Sequence, residues 1–109
     1  MVVARENRTD VEGVVTAHAP HPGVDRWELV TLRVERTGPV AGFPDLVTRR
    51  VADQGGVLEL AVDREALDDD RLGGQRPDGL LGRRLRATAT LAGPGVVRAV
   101  GGIRSTPAA

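Results

Sequence analysis

Leu80-Leu81-Gly82-Arg83-Arg84-Leu85-Arg86-Ala87-Thr88-Ala89-Thr90-Leu91-Ala92-Gly93-Pro94-Gly95-Val96-Val97-Arg98-Ala99-Val100 is the stretch that decides how this chain folds. From Arg84 to Leu91 two sets alternate, with Leu85, Ala87, Ala89 and Leu91 against Arg84, Arg86, Thr88 and Thr90, the period of a strand with one dry and one wet face. Gly93-Pro94-Gly95 supplies the turn, because glycine tolerates positive φ and proline presets the turn. The stretch predicts a β-hairpin with an inward aliphatic stripe. It carries no group suited to catalysis.

Working outward, the same alternation recurs. Between Trp27 and Thr37, Val30, Leu32 and Val34 share one side, and Trp27, Leu29, Thr31, Arg33 and Glu35 share the other, so the first set is expected to face a core. Asp10 to His18 is a further strand, in which Gly13 marks a bulge or a close backbone approach. Ala19-Pro20-His21-Pro22-Gly23-Val24-Asp25 cannot extend it and forms an irregular loop. Gly38-Pro39 is expected to break the second strand, with a loop from Val40 to Asp45 and a strand arm from Leu46 to Val51. Val57 to Val62 follows, with Leu58, Leu60 and Val62 on one face. After Asp63 the pattern changes to a short helix capped by that aspartate, then to a glycine-rich loop over residues 73–79. Gly55-Gly56, Gly73-Gly74 and Gly101-Gly102 read as turns.

These segments predict an all-β fold with one short helix, a five-stranded Greek-key barrel whose helix lies between strands 3 and 4. Residues 1–9 are expected to be a flexible arm, residues 10–104 a single domain, and residues 105–109 a disordered tail. The order resembles the oligonucleotide/oligosaccharide-binding (OB) fold, and Leu80-Leu81-Gly82-Arg83-Arg84-Leu85-Arg86-Ala87 looks like the entry into the fourth strand of many such barrels. The resemblance implies a binding surface on the first loop and the faces of the second and third strands. It implies no particular ligand.

Composition narrows the function. The chain has 109 residues, one domain's worth, with a formal net charge of +0. All of its 15 basic residues are arginine, a bias of the kind that a GC-rich genome imposes. A neutral balance does not favour a protein that holds nucleic acid chiefly by counterion release. There is no cysteine, so disulfides, thiolate nucleophiles and zinc-thiolate sites are excluded. The sequence lacks a long apolar run and a signal-peptide pattern, so a cytoplasmic protein without membrane contact is expected.

Catalytic constellations are poor. Ser105 lies in the expected tail, far from an ordered base, and without lysine there is no phosphate-binding loop of the Gly-Lys type. His18, His21 and Asp25 fall close together, but their spacing matches no metal site. Asp68-Asp69-Asp70 lacks the alternating spacing of a calcium loop. No catalytic residue, cofactor or metal is therefore expected.

The candidate ligand-binding residues are Trp27, Leu29, Arg33 and His21, with Arg84 and Arg86 as a basic extension. Trp27 can stack a base, a sugar or a partner side chain, and the arginines can meet phosphate. Cross-strand pairing of these arginines with Glu28, Glu35 and Glu59 is the competing structural role. The leading expectation is a non-catalytic binding module for single-stranded nucleic acid or a protein partner. The alternatives are a structural protein forming a homodimer or larger homo-oligomer through Leu29 and Val57, and a small-molecule-binding accessory barrel of a biosynthetic pathway with a pocket near Thr16 and His18.

Overall fold

The computed structural model describes residues 6–67, 81–93 and 96–107. Its elements run β1 (Thr9–Pro20), β2 (Trp27–Pro39), α1 (Thr48–Asp53), β3 (Val57–Asp63), α2 (Arg64–Leu67), β4 (Arg83–Gly93) and β5 (Val96–Pro107). The strands close into a ring in the order β1-β2-β3-β5-β4. All neighbours are antiparallel except β3 and β5, which meet in parallel at Ala61 and Arg98.

The expected inward stripes form the core. Val30 and Leu32 of β2, Leu58, Leu60 and Val62 of β3, and Leu85, Ala87 and Ala89 of β4 are buried together with Val11 and Val15 of β1. Each buried valine or leucine contributes about 1.5–3 kcal/mol relative to exposure, so this stripe is the main stabilising term. Gly13 sits where the β1–β2 register shifts, between Glu12 and Gly13. There β1 bends, its first half pairing with both β2 and β4.

Four expectations need correction. Residues 46–51 are not a strand arm: Thr48–Asp53 is helix α1, and Val47 and Val51, four residues apart on one helical face, are buried in the core. A helix was expected only after the third strand; α2 is there, and Asp63 Oδ1 accepts from Glu65 N–H, but α1 precedes β3 as well. Gly38 and Pro39 do not break β2, which pairs with β1 through to Pro39. Gly101 lies within β5, opposite Thr88 at a register shift, rather than in a turn.

Where they are described, the ends differ from the reading of residues 1–9 as an arm and 105–109 as a tail; residues 1–5 and 108–109 lie outside the described residues. Thr9 begins β1, and β5 runs on to Pro107, opposite Arg83. Asn7 is buried, its Nδ2 donating to the Leu91 carbonyl at 3.1 Å and its Oδ1 accepting from Leu91 N–H at 2.8 Å. The side-chain amide thus makes the pair of bonds that a neighbouring strand residue would make. The tip of the closing hairpin at Pro94 and Gly95, the acidic run at 68–70 and the loop at 73–79 lie outside the described residues.

Asp45 fastens α1 to the barrel. Its Oδ1 accepts from Thr9 Oγ1, Val47 N–H and Thr48 N–H, and its Oδ2 accepts from Thr48 Oγ1. Burial pushes the Asp45 carboxyl up, but the bonds from Thr48, Thr9 and Val47 outweigh it and hold the group below its ordinary value. A carboxyl depressed on folding stabilises the protein above its unfolded pKa, about 3.9 for aspartate, and loses that contribution as pH falls through the folded value. Asp45→Ala is expected to lose about 1–2 kcal/mol near neutral pH, of the order of the net worth of a hydrogen bond to a charged group. Thermal melts should show the gap from wild type narrowing in acid, and a gap that widens there would contradict this account.

Candidate functional site

The outward side of β2 grades from apolar to charged. Trp27 and Leu29 are half-buried, Thr31 follows, and Arg33 and Glu35 are exposed. Across the strand pair, Trp27 meets Asp63, Leu29 meets Ala61, Thr31 meets Glu59, and Arg33 meets Val57. At the apolar end lies a shallow recess of about 200 Å³, lined by His21 and Pro22 of the β1–β2 loop, Leu29, Glu59, Ala61, Val96 and Val97. Val97 and Ala61 are buried, whereas Val96 keeps 47% of its surface exposed. The walls are aliphatic, with one carboxylate and one imidazole for polarity.

The loop above the recess is tightly closed. His21 N–H donates to the Trp27 carbonyl at 2.9 Å, and His21 Nδ1 accepts from the N–H groups of Gly23 and Val24, each at 3.0 Å. Arg26 ends the loop at a φ of 68°, a left-handed conformation uncommon outside glycine, and its carbonyl accepts from Arg64 N–H.

The six candidate residues fall into two groups. His21 and Leu29 line the recess, Trp27 adjoins it through the backbone bond from His21 without lining it, and Arg33 lies farther along the same face beside Val57. Arg84 and Arg86 belong to a ladder of charges at the other end. Arg84 Nε donates to Glu35 Oε1 at 2.7 Å and its second nitrogen to Oε2 at 3.3 Å, while Glu12 lies 3.8 Å away. Arg36 meets Glu12 at 3.2 Å, and Arg86 lies 3.9 Å from Asp10. The bond from Arg84 holds the Glu35 carboxyl below its usual range, and Glu35 in turn raises Arg84. Arg84 is committed to Glu35 by two bonds, whereas Arg86 keeps 60% of its side-chain surface and is paired only loosely. Any phosphate at Arg84 would have to compete with Glu35.

Pattern reading missed a second cluster. Glu28 shares the inward parity of Val30 and Leu32, and its side chain keeps only 4% of its surface. Its Oε2 lies 2.7 Å from His18 Nδ1 and its Oε1 3.5 Å from the Arg64 guanidinium. Every buried side-chain polar atom among the described residues has a partner. The one signal for Glu28 in the sequence is its place, a lone carboxylate in phase with an aliphatic stripe.

Among the described residues no group of three or more histidines and carboxylates is placed to hold a metal ion. His18 and His21 turn to different partners. No helix among them is long and apolar enough to cross a membrane. Comparison with protein-family models, with curated proteins and with solved structures finds no match to this chain.

Proposed function

We propose that this chain is a non-catalytic binding module that docks a polypeptide segment of a partner protein at the recess beneath the β1–β2 loop. The observation that carries the reading is the lining of that recess. Leu29, Ala61, Val96, Val97 and Pro22 offer aliphatic surface, and Glu59 and His21 offer polar contacts at its edge. Such a mixture suits an apolar side chain flanked by peptide groups. The ring order with β3 beside β5 supports the OB resemblance, and in barrels of that kind the strand 2–3 face and the loops between strands 1 and 2 and strands 4 and 5 form the binding surface.

Single-stranded nucleic acid is disfavoured on the same face. Stacking and phosphate neutralisation need several aromatic planes and uncommitted cations, but here Trp27 is the one aromatic of the β2 face, Arg33 lies at the far end of the paired stretch, and Glu59 and Asp63 stand on the adjoining strand. A second copy of the chain is favoured by a separate feature. Val57, at the start of β3, is 42% exposed and offers an apolar side chain that a second copy would cover.

Selection of binders from a random peptide library, followed by amide-shift mapping, tests the reading. Shifts are expected at Leu29, Ala61 and Val97, with affinity falling at least about tenfold in Leu29→Glu, a loss of roughly 1.4 kcal/mol. Arg84→Ala should leave peptide affinity unchanged. Salt-sensitive quenching of Trp27 by an oligonucleotide that Arg33→Ala abolishes would replace this reading with the nucleic-acid one. Light scattering that shows a stable dimer broken by Val57→Glu would replace it with self-association.

A further inference from the structure

We propose that His21 is a proton-operated latch on the β1–β2 loop, so that protonating its imidazole releases the loop and closes the recess to a partner. The argument starts from hydrogen-bond polarity. Nδ1 of His21 accepts from two backbone N–H groups, those of Gly23 and Val24. A backbone N–H can only donate, so Nδ1 presents its lone pair and the neutral ring carries its hydrogen on Nε2. His18 has the opposite polarity, because its Nδ1 meets the Glu28 carboxylate, which can only accept when ionised. A proton added to His18 leaves that bond in place. A proton added to His21 puts a hydrogen where two N–H groups already point.

Loss of those two bonds matters because the loop is held against strain. Between the latch and the Trp27 backbone closure, Arg26 keeps its left-handed φ of 68°, a conformation disfavoured for a residue with a Cβ. Releasing Nδ1 removes the side-chain bonds that hold Gly23 and Val24, and leaves the loop tied at its ends by the backbone bonds of His21 to Trp27 and of Arg64 to Arg26.

The charges around the ring set the direction of movement. Glu59 of β3 lines the recess with His21, and Asp25 and Arg26 belong to the loop itself. Arg98 of β5 stands beside Ala61, and Asp63 ends β3 against Trp27. His18, Glu28 and Arg64 form a cluster at the loop end of the β1–β2 hairpin. Of these, Glu59 is a carboxylate exposed in the recess with no ion pair among the described residues, and it draws the released imidazolium inward. The ring then occupies space that a partner's side chain would fill.

The consequence for docking rests on the peptide-binding reading above, but the latch is tested on the protein alone, so the two fail separately. Long-range proton–nitrogen spectra at about pH 8, where imidazoles are neutral, should place the hydrogen of His21 on Nε2. Trp27 is the single tryptophan and adjoins the loop, so its emission should change as pH is taken from about 8 to about 5. His21→Asn keeps an acceptor for nearby N–H groups without a proton to gain, and should abolish that change. A hydrogen found on Nδ1 of His21, or a fluorescence change that persists undiminished in His21→Asn, overturns the latch.

Discussion

Replacing Gly13 by alanine is expected to remove about 3–5 kcal/mol of stability, at the upper end of what single substitutions do and a large share of the ~5–15 kcal/mol that holds a domain of this size. The reason is a backbone contact with no room to yield. A Cβ built on Gly13 lies 2.5 Å from the Arg33 carbonyl oxygen and 2.9 Å from the Val34 Cα. Both are main-chain atoms of β2, so no rotamer change relieves the overlap, and β1 must move away from the strand that it pairs with. That movement propagates, because Gly13 also pairs with Leu85 of β4, whose side chain is fully buried. The second half of β1 pairs with β2 up to Pro20 opposite Glu28, next to Trp27, so a variant that still folds should show altered Trp27 emission.

Gly38→Ala is the matched control. It lies on the neighbouring strand with nothing within 4 Å of its would-be Cβ, and its expected change is within about 0.5 kcal/mol. Urea unfolding measures both variants. Equal losses at the two positions would show that conformational freedom, rather than the close approach, is what glycine supplies at position 13.

What was legible in the sequence follows from how far each signal reaches. Period-two alternation is local and strong, so the inward faces of β2, β3 and β4 could be assigned from Val30, Leu32, Leu58, Leu60, Leu85 and Ala87 alone. Gly13 was legible as a bulge because a glycine inside a strand pattern has few other uses. Helix α1 was misread because the β-branched Val47, Thr48 and Val51 have strand propensity, and the four-residue spacing of Val47 and Val51 is a weak signal in so short a segment. Tertiary burial of those two valines and the hydrogen bonds from Val47 N–H and Thr48 N–H to Asp45 override propensity there.

The candidate site was legible only in part. His21, Trp27 and Leu29 adjoin in sequence and stay adjacent in the fold. Glu59, Ala61, Val96 and Val97 join them through pairing of β3 with β2 and β5, which no local pattern encodes. Arginine positions could be placed on the outer face, but their pairing with Glu35, Glu12 and Asp10 depends on register between strands more than twenty residues apart.

Glu28→Ala is the second large effect, with an expected loss of about 2–4 kcal/mol. Breaking a buried ion pair costs about 3–5 kcal/mol because the remaining partner is left buried without compensation. Here the two partners are unequal. His18 keeps 18% of its side-chain surface and Arg64 keeps 43%, so the guanidinium regains water when the carboxylate is removed and the imidazole regains less. The geometry points the same way, with 2.7 Å to His18 against 3.5 Å to Arg64. The imidazole contact therefore dominates, and a double-mutant cycle of Glu28 with His18 should give a larger coupling than one with Arg64. Only the Arg64 coupling should weaken appreciably with added salt, since screening acts on the exposed partner.

Glu28→Gln separates charge from hydrogen bonding. Its side-chain oxygen can still accept from His18 Nδ1–H, so it should lose about half as much as alanine, whereas an equal loss would mean that ionisation of the carboxylate is indispensable. The cluster also reaches the candidate site, because Arg64 N–H donates to the Arg26 carbonyl at the end of the loop, and Arg26 precedes Trp27. Glu28→Ala should therefore change Trp27 emission before global unfolding begins. Exposed Glu59→Ala, on the same pair of strands, should cost under about 0.5 kcal/mol. If Glu28→Ala costs no more than that, the carboxylate is solvated in solution and the inward phase of β2 ends at Val30.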